Sequence, residues 1–240
     1  MLETATIPEK IAERKIIVFK PRLELDAVKH TAEKMKTELF TKFMFLRRKP
    51  EEIRIVSIDK YYEPYITISG EYAVDYTKEW VHTVEVDETM QEITLFGKTF
   101  KPETLKNEQG IPYKVIKLTG EGRFRYENKA YIIFDRWWRE VGFEQLPYVP
   151  FEEQPEKILK LGKKFGKVEI PDEKEIEILR SWIVQRPPDT AYIHEELFKI
   201  PERAVIYKPM YKILFQNVKT GEEVTIIIDA VSGQTHKESP

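Results

Sequence analysis

Carboxylates and tryptophans stand side by side in the middle of the chain, where Asp135 and Glu140 enclose Trp137 and Trp138. A carboxyl group beside large aromatic rings loses contact with water, which raises its pKa toward the range of a general acid. Acid/base catalysis is therefore one interpretation of this segment. Charged residues make up 33% of the chain, however, so acidic residues beside aromatic ones are expected by chance, and structural packing is the favoured interpretation.

The same segment holds the residue types that dominate protein interfaces, in the order Arg136, Trp137, Trp138, Arg139. Tryptophan and arginine are enriched among the few interface residues that contribute most of the binding energy. On an extended chain the two indole rings would point in opposite directions, and on a helix they would lie about 100° apart. These four residues are predicted binding residues, with packing in the core as the alternative.

Basic side chains alternate with aromatic ones upstream of this segment, at Arg123 and Arg125. This alternation is typical of surfaces that bind single-stranded nucleic acid, where bases stack on rings and cations follow the phosphates. Nearby acidic residues reduce the positive potential, and the formal charge of the whole chain is −2, with 39 Lys and Arg against 41 Asp and Glu. Nucleic-acid binding is therefore an alternative function, through the basic aromatic hairpin that carries Arg123 and Arg125 and through the lysine-rich stretch 157–167.

Other catalytic chemistries lack the residues that they need. The chain has no cysteine, which excludes disulfides, thiolate metal sites and cysteine nucleophiles. The four histidines lie far apart, at His30, His82, His194 and His236. None of them belongs to a zinc-binding pattern, and the serines lack the nucleophile motifs GxSxG and SxxK. We expect no catalytic residue, no metal and no cofactor.

Composition also restricts where the protein works. No apolar run approaches the roughly 18 residues that a membrane-spanning helix needs. The first residues lack the charged and then apolar layout of a secretory signal. Abundant charged residues, absent cysteine and scarce asparagine are typical of thermophilic proteins. The sequence predicts a cytosolic protein of a thermophile that makes no contact with a membrane.

Helices and strands must position these residues. The spacing of apolar residues predicts the helices. A first amphipathic helix is indicated by residues at three- and four-residue steps: Leu25, Val28, Ala32, Met35 and Leu39. A second helix is expected to begin at Asp172, a typical N-cap residue that Glu175 follows at the capping-box spacing. A further short helix is expected around Ile193 and Leu197.

Most of the remaining chain alternates apolar and polar residues, which is the pattern of strands with one buried face. We expect a meander of short strands over 53–95, with turns at 77–79 and 88–91. Two hairpins are expected to turn at 128–129 and at 217–222. Short turns join antiparallel neighbours, so the sequence predicts an α+β fold of mainly antiparallel sheet with a few packing helices.

The two ends of the chain share an order of elements. Each has a strand before a proline, a helix, a strand opened by Tyr-x-Pro and a returning strand that ends in aspartate. The tripeptides are Tyr62-Glu63-Pro64 and Tyr207-Lys208-Pro209, and the aspartates are Asp87 and Asp229. This order predicts two similar β-α-β-β units, related by duplication or only by topology, on either side of an aromatic-rich insert. Free sheet faces bind partners, so Tyr62 and Tyr207 join the predicted binding residues.

Polar and proline-rich stretches divide the chain into consecutive parts. They are an α+β unit (1–110), an aromatic-rich hairpin with a proline-rich segment (111–156), a lysine-rich linker (157–167) and a second α+β unit (168–240). The predicted function is that of a non-catalytic adaptor or accessory subunit that binds another macromolecule, in the first place a protein. Nucleic-acid or ribonucleoprotein binding and carboxylate catalysis remain alternatives, and self-association is compatible with each.

Overall fold

The structure is a computed structural model that describes residues 6–39, 50–160, 165–166 and 173–237. Over these residues the protein is an α+β fold of mainly antiparallel sheet, as the sequence predicts. Within the same residues, no helix has the length and apolar character that crossing a membrane requires. The expected N-cap Asp172 and residues 161–164 and 167 of the lysine-rich linker lie outside the described residues.

Strands dominate the described chain, and three of them far exceed the usual length of 3 to 10 residues. The strands are β1 (Glu9–Ile11), β2 (Arg14–Val18), β3 (Ile53–Val86), β4 (Ile93–Leu95), β5 (Lys98–Phe100), β6 (Glu103–Lys106), β7 (Pro112–Phe134), β8 (Thr190–Asn217), β9 (Glu223–Asp229) and β10 (Thr235–Lys237). The main sheet has the order β10-β9-β8-β3-β7-β6, and β1 and β2 also pair with β8. Strands β4 and β5 form a hairpin of their own.

The C-terminal hairpin is confirmed. Strands β8 and β9 pair antiparallel from Met210 opposite Asp229 to Gln216 opposite Glu223. The turn between them closes through the Asn217 amide, which donates to the carbonyl oxygen of Glu222 at 2.8 Å. Alternating apolar residues on both sides of a glycine-containing turn were sufficient to predict this element.

Two predicted turns and one predicted helix are wrong, because strands run through them. Strand β3 continues through 77–79, and β7 continues through 128–129. Neither stretch contains a glycine or a proline, and the alternation of side chains persists on both sides, so nothing in the backbone enforces a turn. The expected helix around Ile193 and Leu197 is part of β8, because two apolar residues four apart also fit an extended strand that pairs with β1.

Three α-helices are present in the described chain: α1 (Leu25–Leu39), α2 (Pro155–Lys160) and α3 (Lys174–Ile183). Helix α1 spans the residues that the apolar spacing predicts. Its buried residues Val28 and Ala32 belong to a core cluster that also contains residues of β3, β8 and β9. The further members of this cluster are Leu39, Ile53, Tyr211, Ile213, Phe215, Ile226, Ile228 and Ala230.

Helix α3 contributes a buried charge. The side chain of Glu175 is fully buried, and Arg14 donates to its two oxygens through Nη2 at 2.6 and 2.7 Å. Arg203 Nη1 lies 3.4 Å from the same carboxylate. A buried carboxylate needs such cations, because removal from water disfavours an unpaired charge. Glu175, which the sequence placed in a capping box, therefore connects α3 with β2 and β8.

The chain forms two compact units, each built from separate stretches. Unit 1 comprises Met1–Lys10, Glu71–Lys129 and Ser181–Lys199. Unit 2 comprises Ile11–Gly70, Ala130–Arg180 and Ile200–Pro240. The long strands β3, β7 and β8 contribute residues to both units, whereas the division predicted from the sequence is consecutive. That division and the proposed duplication stay predictions.

Candidate functional site

The segment after β7 forms a tight turn in unit 2. The amide of Asp135 donates to the carbonyl oxygen of Arg139 at 3.0 Å, and the amide of Val141 donates to that of Ile133 at 2.9 Å. Trp138 has a φ of 66°, which is a rare backbone conformation for a bulky residue. The two tryptophans therefore lie neither on an extended strand nor on a helix, the two arrangements that the sequence left open.

Asp135 holds this turn together. Its Oδ1 accepts hydrogen bonds from the amides of Trp137 (2.9 Å) and Arg139 (3.0 Å), and its Oδ2 accepts one from Arg139 Nε (2.8 Å). The carboxylate is buried and uses both oxygens as acceptors within the turn. This arrangement supports the interpretation of Asp135 as a structural residue, because a short polar side chain in this position stabilises a turn.

The turn separates the two tryptophans. Trp137 is 57% exposed, and the guanidinium groups of Arg136 and Arg139 lie 4.0 and 4.8 Å from its ring centre. Trp138 packs against Phe134, with 5.5 Å between ring centres, and lies 4.8 Å from Lys174 Nζ. Trp137 thus faces solvent with two cations on its ring, and Trp138 is half-buried against Phe134.

Glu63 holds the beginning of the segment that follows β7, through Arg136. This β3 residue is buried, and its Oε1 lies 3.3 Å from Arg136 Nε. Burial raises the pKa of the Glu63 carboxyl above its ordinary value, and Asp135 adds to the rise, although Arg136 and Lys208 act in the opposite direction. Glu63 therefore holds the arginine whose other contact is the exposed ring of Trp137.

Lys208 fixes the same segment further along the chain. It is the middle residue of the second Tyr-x-Pro tripeptide and is 2% exposed. Its Nζ donates to the carbonyl oxygen of Gln145 at 2.8 Å and lies 3.1 Å from Asp229 Oδ2. Gln145 ends the short 3-10 helix Phe143–Gln145. A cation buried in β8 therefore anchors the helical turn that carries Phe143.

Asp229 is the last residue of β9 and stabilises the turn that follows it. Its Oδ1 accepts hydrogen bonds from the amides of Val231 (2.8 Å) and Ser232 (3.2 Å). Burial by itself would raise the pKa of Asp229, but the Lys208 ammonium and the Val231 amide outweigh it and lower that pKa below its ordinary value. The second predicted aspartate, Asp87, likewise accepts a hydrogen bond from the amide of Thr89 at 2.8 Å.

The two predicted binding tyrosines converge on one ring. Phe165 stacks on Tyr62 with 4.6 Å between ring centres, and it meets Tyr207 edge-on at 5.0 Å. Both tyrosines are half-buried, and burial raises the pKa of each phenol. Phe165 thus covers part of the sheet surface that the sequence expected to be free, and the role of Tyr62 and Tyr207 in binding stays a prediction.

An apolar cleft opens beside the segment that Lys208 anchors at Gln145. It has a volume of about 320 Å³ and is lined by residues of β2, β7, β8 and the stretch 143–151. We call it the aromatic cleft, after the rings of Phe19, Tyr131, Phe143, Tyr148 and Phe151 that line it. Leu146 and Val149, which also line it, pack in a second core cluster with Phe19, Ala204, Ile206 and Val231.

Three of the five rings of the aromatic cleft are more than half exposed. Phe143 is 69% exposed, Phe151 61% and Tyr148 99%. Tyr131 and Phe143 stack with 5.4 Å between ring centres. Prolines prevent a helix over 146–151, so the backbone presents these side chains on an irregular stretch that the core contacts of Leu146 and Val149 hold in place.

A smaller acidic cleft shares a wall with the aromatic cleft. It has a volume of about 270 Å³, and its lining includes the stacked pair of Tyr131 and Phe143 together with Glu140 and Gly142. The carboxylate of Glu144 lies directly over the Cα of Gly142. Both glutamates are exposed, and neither forms an ion pair with any residue that the structure describes.

The remaining predicted binding residues, Arg123 and Arg125, belong to unit 1. Arg123 donates to Asp75 through Nε (2.8 Å) and Nη2 (2.5 Å), and Arg125 Nε donates to Glu127 at 2.7 Å. Lys129 pairs with Glu71 at 3.0 Å. These three basic residues of β7 are therefore engaged by carboxylates, which reduces the charge that they offer to a phosphate.

Several residues of the site were missed by sequence reasoning. The Tyr-x-Pro repeat points to Tyr62 and Tyr207, but Glu63 and Lys208 between tyrosine and proline carry the buried charges. A charged residue flanked by apolar ones within a strand was the signal available for both. Phe143, Tyr148 and Phe151 belong to the aromatic-rich part of the chain (111–156), and only the prolines around them indicated that their rings are exposed.

The site combines exposed aromatic rings with buried charged side chains. In the described parts of the chain, no three His, Asp or Glu side chains come together as metal ligands. No family model matches the chain, and neither a curated protein nor a solved structure matches it.

Proposed function

We propose that the protein is a non-catalytic adaptor or accessory subunit that binds a segment of another protein in the aromatic cleft. The observation that carries this proposal is the exposure of Phe143, Tyr148 and Phe151 around one apolar cleft. Clustered exposed rings mark interaction surfaces, and aromatic residues are enriched among those that contribute most of the binding energy.

The anchoring of the cleft also supports binding. Lys208 holds Gln145, Glu63 holds Arg136, and Val149 packs in a core cluster. A surface that is ordered before it meets its partner loses less conformational entropy on binding. Two buried charges are costly to a fold, and here both contact the segment that presents the exposed rings. Their position therefore favours a role of that segment beyond packing.

The turn residues extend the proposed surface. Trp137 is exposed, and its arginine neighbours Arg136 and Arg139 lie on its ring, a combination typical of interface residues. Glu140, at the end of this turn, lines the acidic cleft. We propose that these residues contact the partner at the edge of the aromatic cleft.

The alternatives receive less support from these contacts. Arg123 and Arg125 are engaged by carboxylates, and Asp135 is engaged by the turn that it stabilises. Nucleic-acid binding and carboxylate catalysis therefore remain alternatives to protein binding. The cytosolic location, the thermophilic origin and self-association remain predictions from the sequence.

The test is affinity co-purification from native lysate with a variant that removes exposed rings. The double variant Phe143→Ala/Tyr148→Ala should recover at least about tenfold less partner than the wild-type chain, because two exposed rings are removed from the contact. Phe96→Ala is the matched control, because Phe96 is fully exposed in unit 1. Equal recovery by the double variant and the wild type, or no partner of the wild type at physiological salt, would contradict the proposal.

A further inference from the structure

The acidic cleft and the aromatic cleft differ in charge but share one wall. Tyr131, Ile133 and Phe143 line both. The aromatic cleft is lined by apolar and aromatic residues alone, whereas the acidic cleft adds Glu140. A segment that occupies both clefts would therefore place an apolar side chain on one side of the stacked rings and a polar side chain on the other.

The charged side chains near the shared wall differ in whether they have an ion-pair partner. The two cations of the turn each have an anion, since Arg136 lies at Glu63 and Arg139 at Asp135. Glu140 and Glu144 have no cation among the described residues. Both are exposed, so they keep their hydration in the free protein and are available to an incoming charge. Among the described residues, two carboxylates without an ion-pair partner therefore lie at or next to the acidic cleft.

The aromatic rings of the shared wall also attract cations, as the two carboxylates do. The face of a tyrosine or phenylalanine ring attracts a cation that approaches within about 6 Å of its centre. Tyr131 and Phe143 stack on each other and leave part of each ring exposed beside Glu140. A lysine or arginine side chain can then satisfy a carboxylate with its charged end and cover a ring with its methylenes.

We infer that the partner segment is basic and apolar, with a lysine or arginine in the acidic cleft beside an apolar side chain in the aromatic cleft. This inference rests on the proposed function and specifies the chemistry of its partner. Glu140 and Glu144 act as specificity residues, because they attract a basic segment and repel an acidic one.

The experiment uses the full chain and three labelled peptides of equal length. The first combines leucine and phenylalanine with lysines, the second replaces the lysines with glutamates, and the third replaces the apolar residues with serines. Fluorescence anisotropy should show binding of the first peptide only, weakening as salt is added, since exposed charges are screened. Binding of the basic apolar peptide should fall roughly fivefold to tenfold in Glu140→Lys/Glu144→Lys, because attraction becomes repulsion.

The matched control is Glu121→Lys, since Glu121 is an exposed glutamate of β7 in unit 1. This variant should bind the basic peptide as the wild type does. Equal binding of the basic and acidic peptides, or no binding of the basic apolar peptide up to roughly 1 mM, overturns the inference. A further outcome is that binding depends on neither the peptide charge nor the Glu140→Lys/Glu144→Lys exchange and is still lost in Phe143→Ala/Tyr148→Ala. In that outcome only the preference for a basic segment fails. If binding is unaffected by either double variant, the proposed function fails with it.

Discussion

Lys208 and Gln145 connect the interior of unit 2 with its exposed rings. The Lys208 ammonium donates a hydrogen bond of 2.8 Å to the carbonyl oxygen of Gln145, although the lysine lies in the buried part of β8. Its only acidic partner within the described residues is Asp229, at 3.1 Å. The buried Lys208–Asp229 pair therefore helps to position Gln145, at the end of the helical turn that carries Phe143, and its contribution to stability can be measured.

Lys208→Met should destabilise the protein by about 3 to 5 kcal/mol, because it leaves the Asp229 carboxylate buried without its cation. Urea denaturation followed by circular dichroism measures the change in the free energy of unfolding. Lys219→Met is the matched control, since the Lys219 ammonium lies 2.7 Å from Glu52 but is 67% exposed. Loss of such an exposed pair should cost about 0 to 1 kcal/mol. A similar small loss for Lys208→Met would show that the buried pair does not stabilise this region.

Glu63 should make stability fall with rising pH. Burial raises its pKa above the ordinary value of 4.5, so the folded protein holds this proton more tightly than the unfolded chain. Between that value and the raised pKa, the folded state binds more protons, and the free energy of unfolding decreases as pH rises. We expect the stability of the wild type relative to Glu63→Gln to decline over this window in urea denaturation.

Arg136→Gln provides the control for that slope. The Arg136 guanidinium lowers the pKa of Glu63, and its removal should extend the decline in stability to higher pH. A stability difference between the wild type and Glu63→Gln that stays constant or grows with rising pH would contradict the assignment. In that case the arginine, rather than burial, would dominate the ionisation of Glu63.

The protein should bind single-stranded nucleic acid only weakly, even at low salt. Arg123, Arg125 and Lys129 each contact a carboxylate, so few cations of β7 are available to release counterions from phosphates. Fluorescence anisotropy with a labelled oligonucleotide at low and at physiological ionic strength measures this. Tight binding that weakens steeply with salt, and that Arg123→Gln reduces, would instead favour the nucleic-acid alternative.

Local patterns predicted the elements whose own residues determine them. The spacing from Leu25 to Leu39 predicted α1, and the turn at 217–222 predicted the last hairpin. The breaks in β3 and β7 were mispredicted because the length of a strand depends on its neighbours in the sheet, which single residues do not reveal. Polar turn-like residues such as Asn128 are accepted within a strand when a partner satisfies them, here the carbonyl oxygen of Ile183 at 3.3 Å.

The candidate site was predictable in its residue types but not in its arrangement. The Arg136 to Arg139 segment was selected as a binding motif, yet the backbone hydrogen bonds of Asp135 decide which tryptophan faces solvent. Glu63 and Lys208 act on residues 73 and 63 positions away in the sequence, respectively, through Arg136 and Gln145. Contacts at such separations arise from the pairing of long strands, and spacing rules within one element do not reach them.

Hydrogen–deuterium exchange can show whether the aromatic cleft is the partner-binding surface, as we propose. The wild-type chain is compared free and in complex with the co-purified partner. Backbone amides within 131–151 should exchange more slowly in the complex, because the partner covers the cleft that they line. Unchanged exchange over 131–151, with slower exchange confined to unit 1, would contradict the claim.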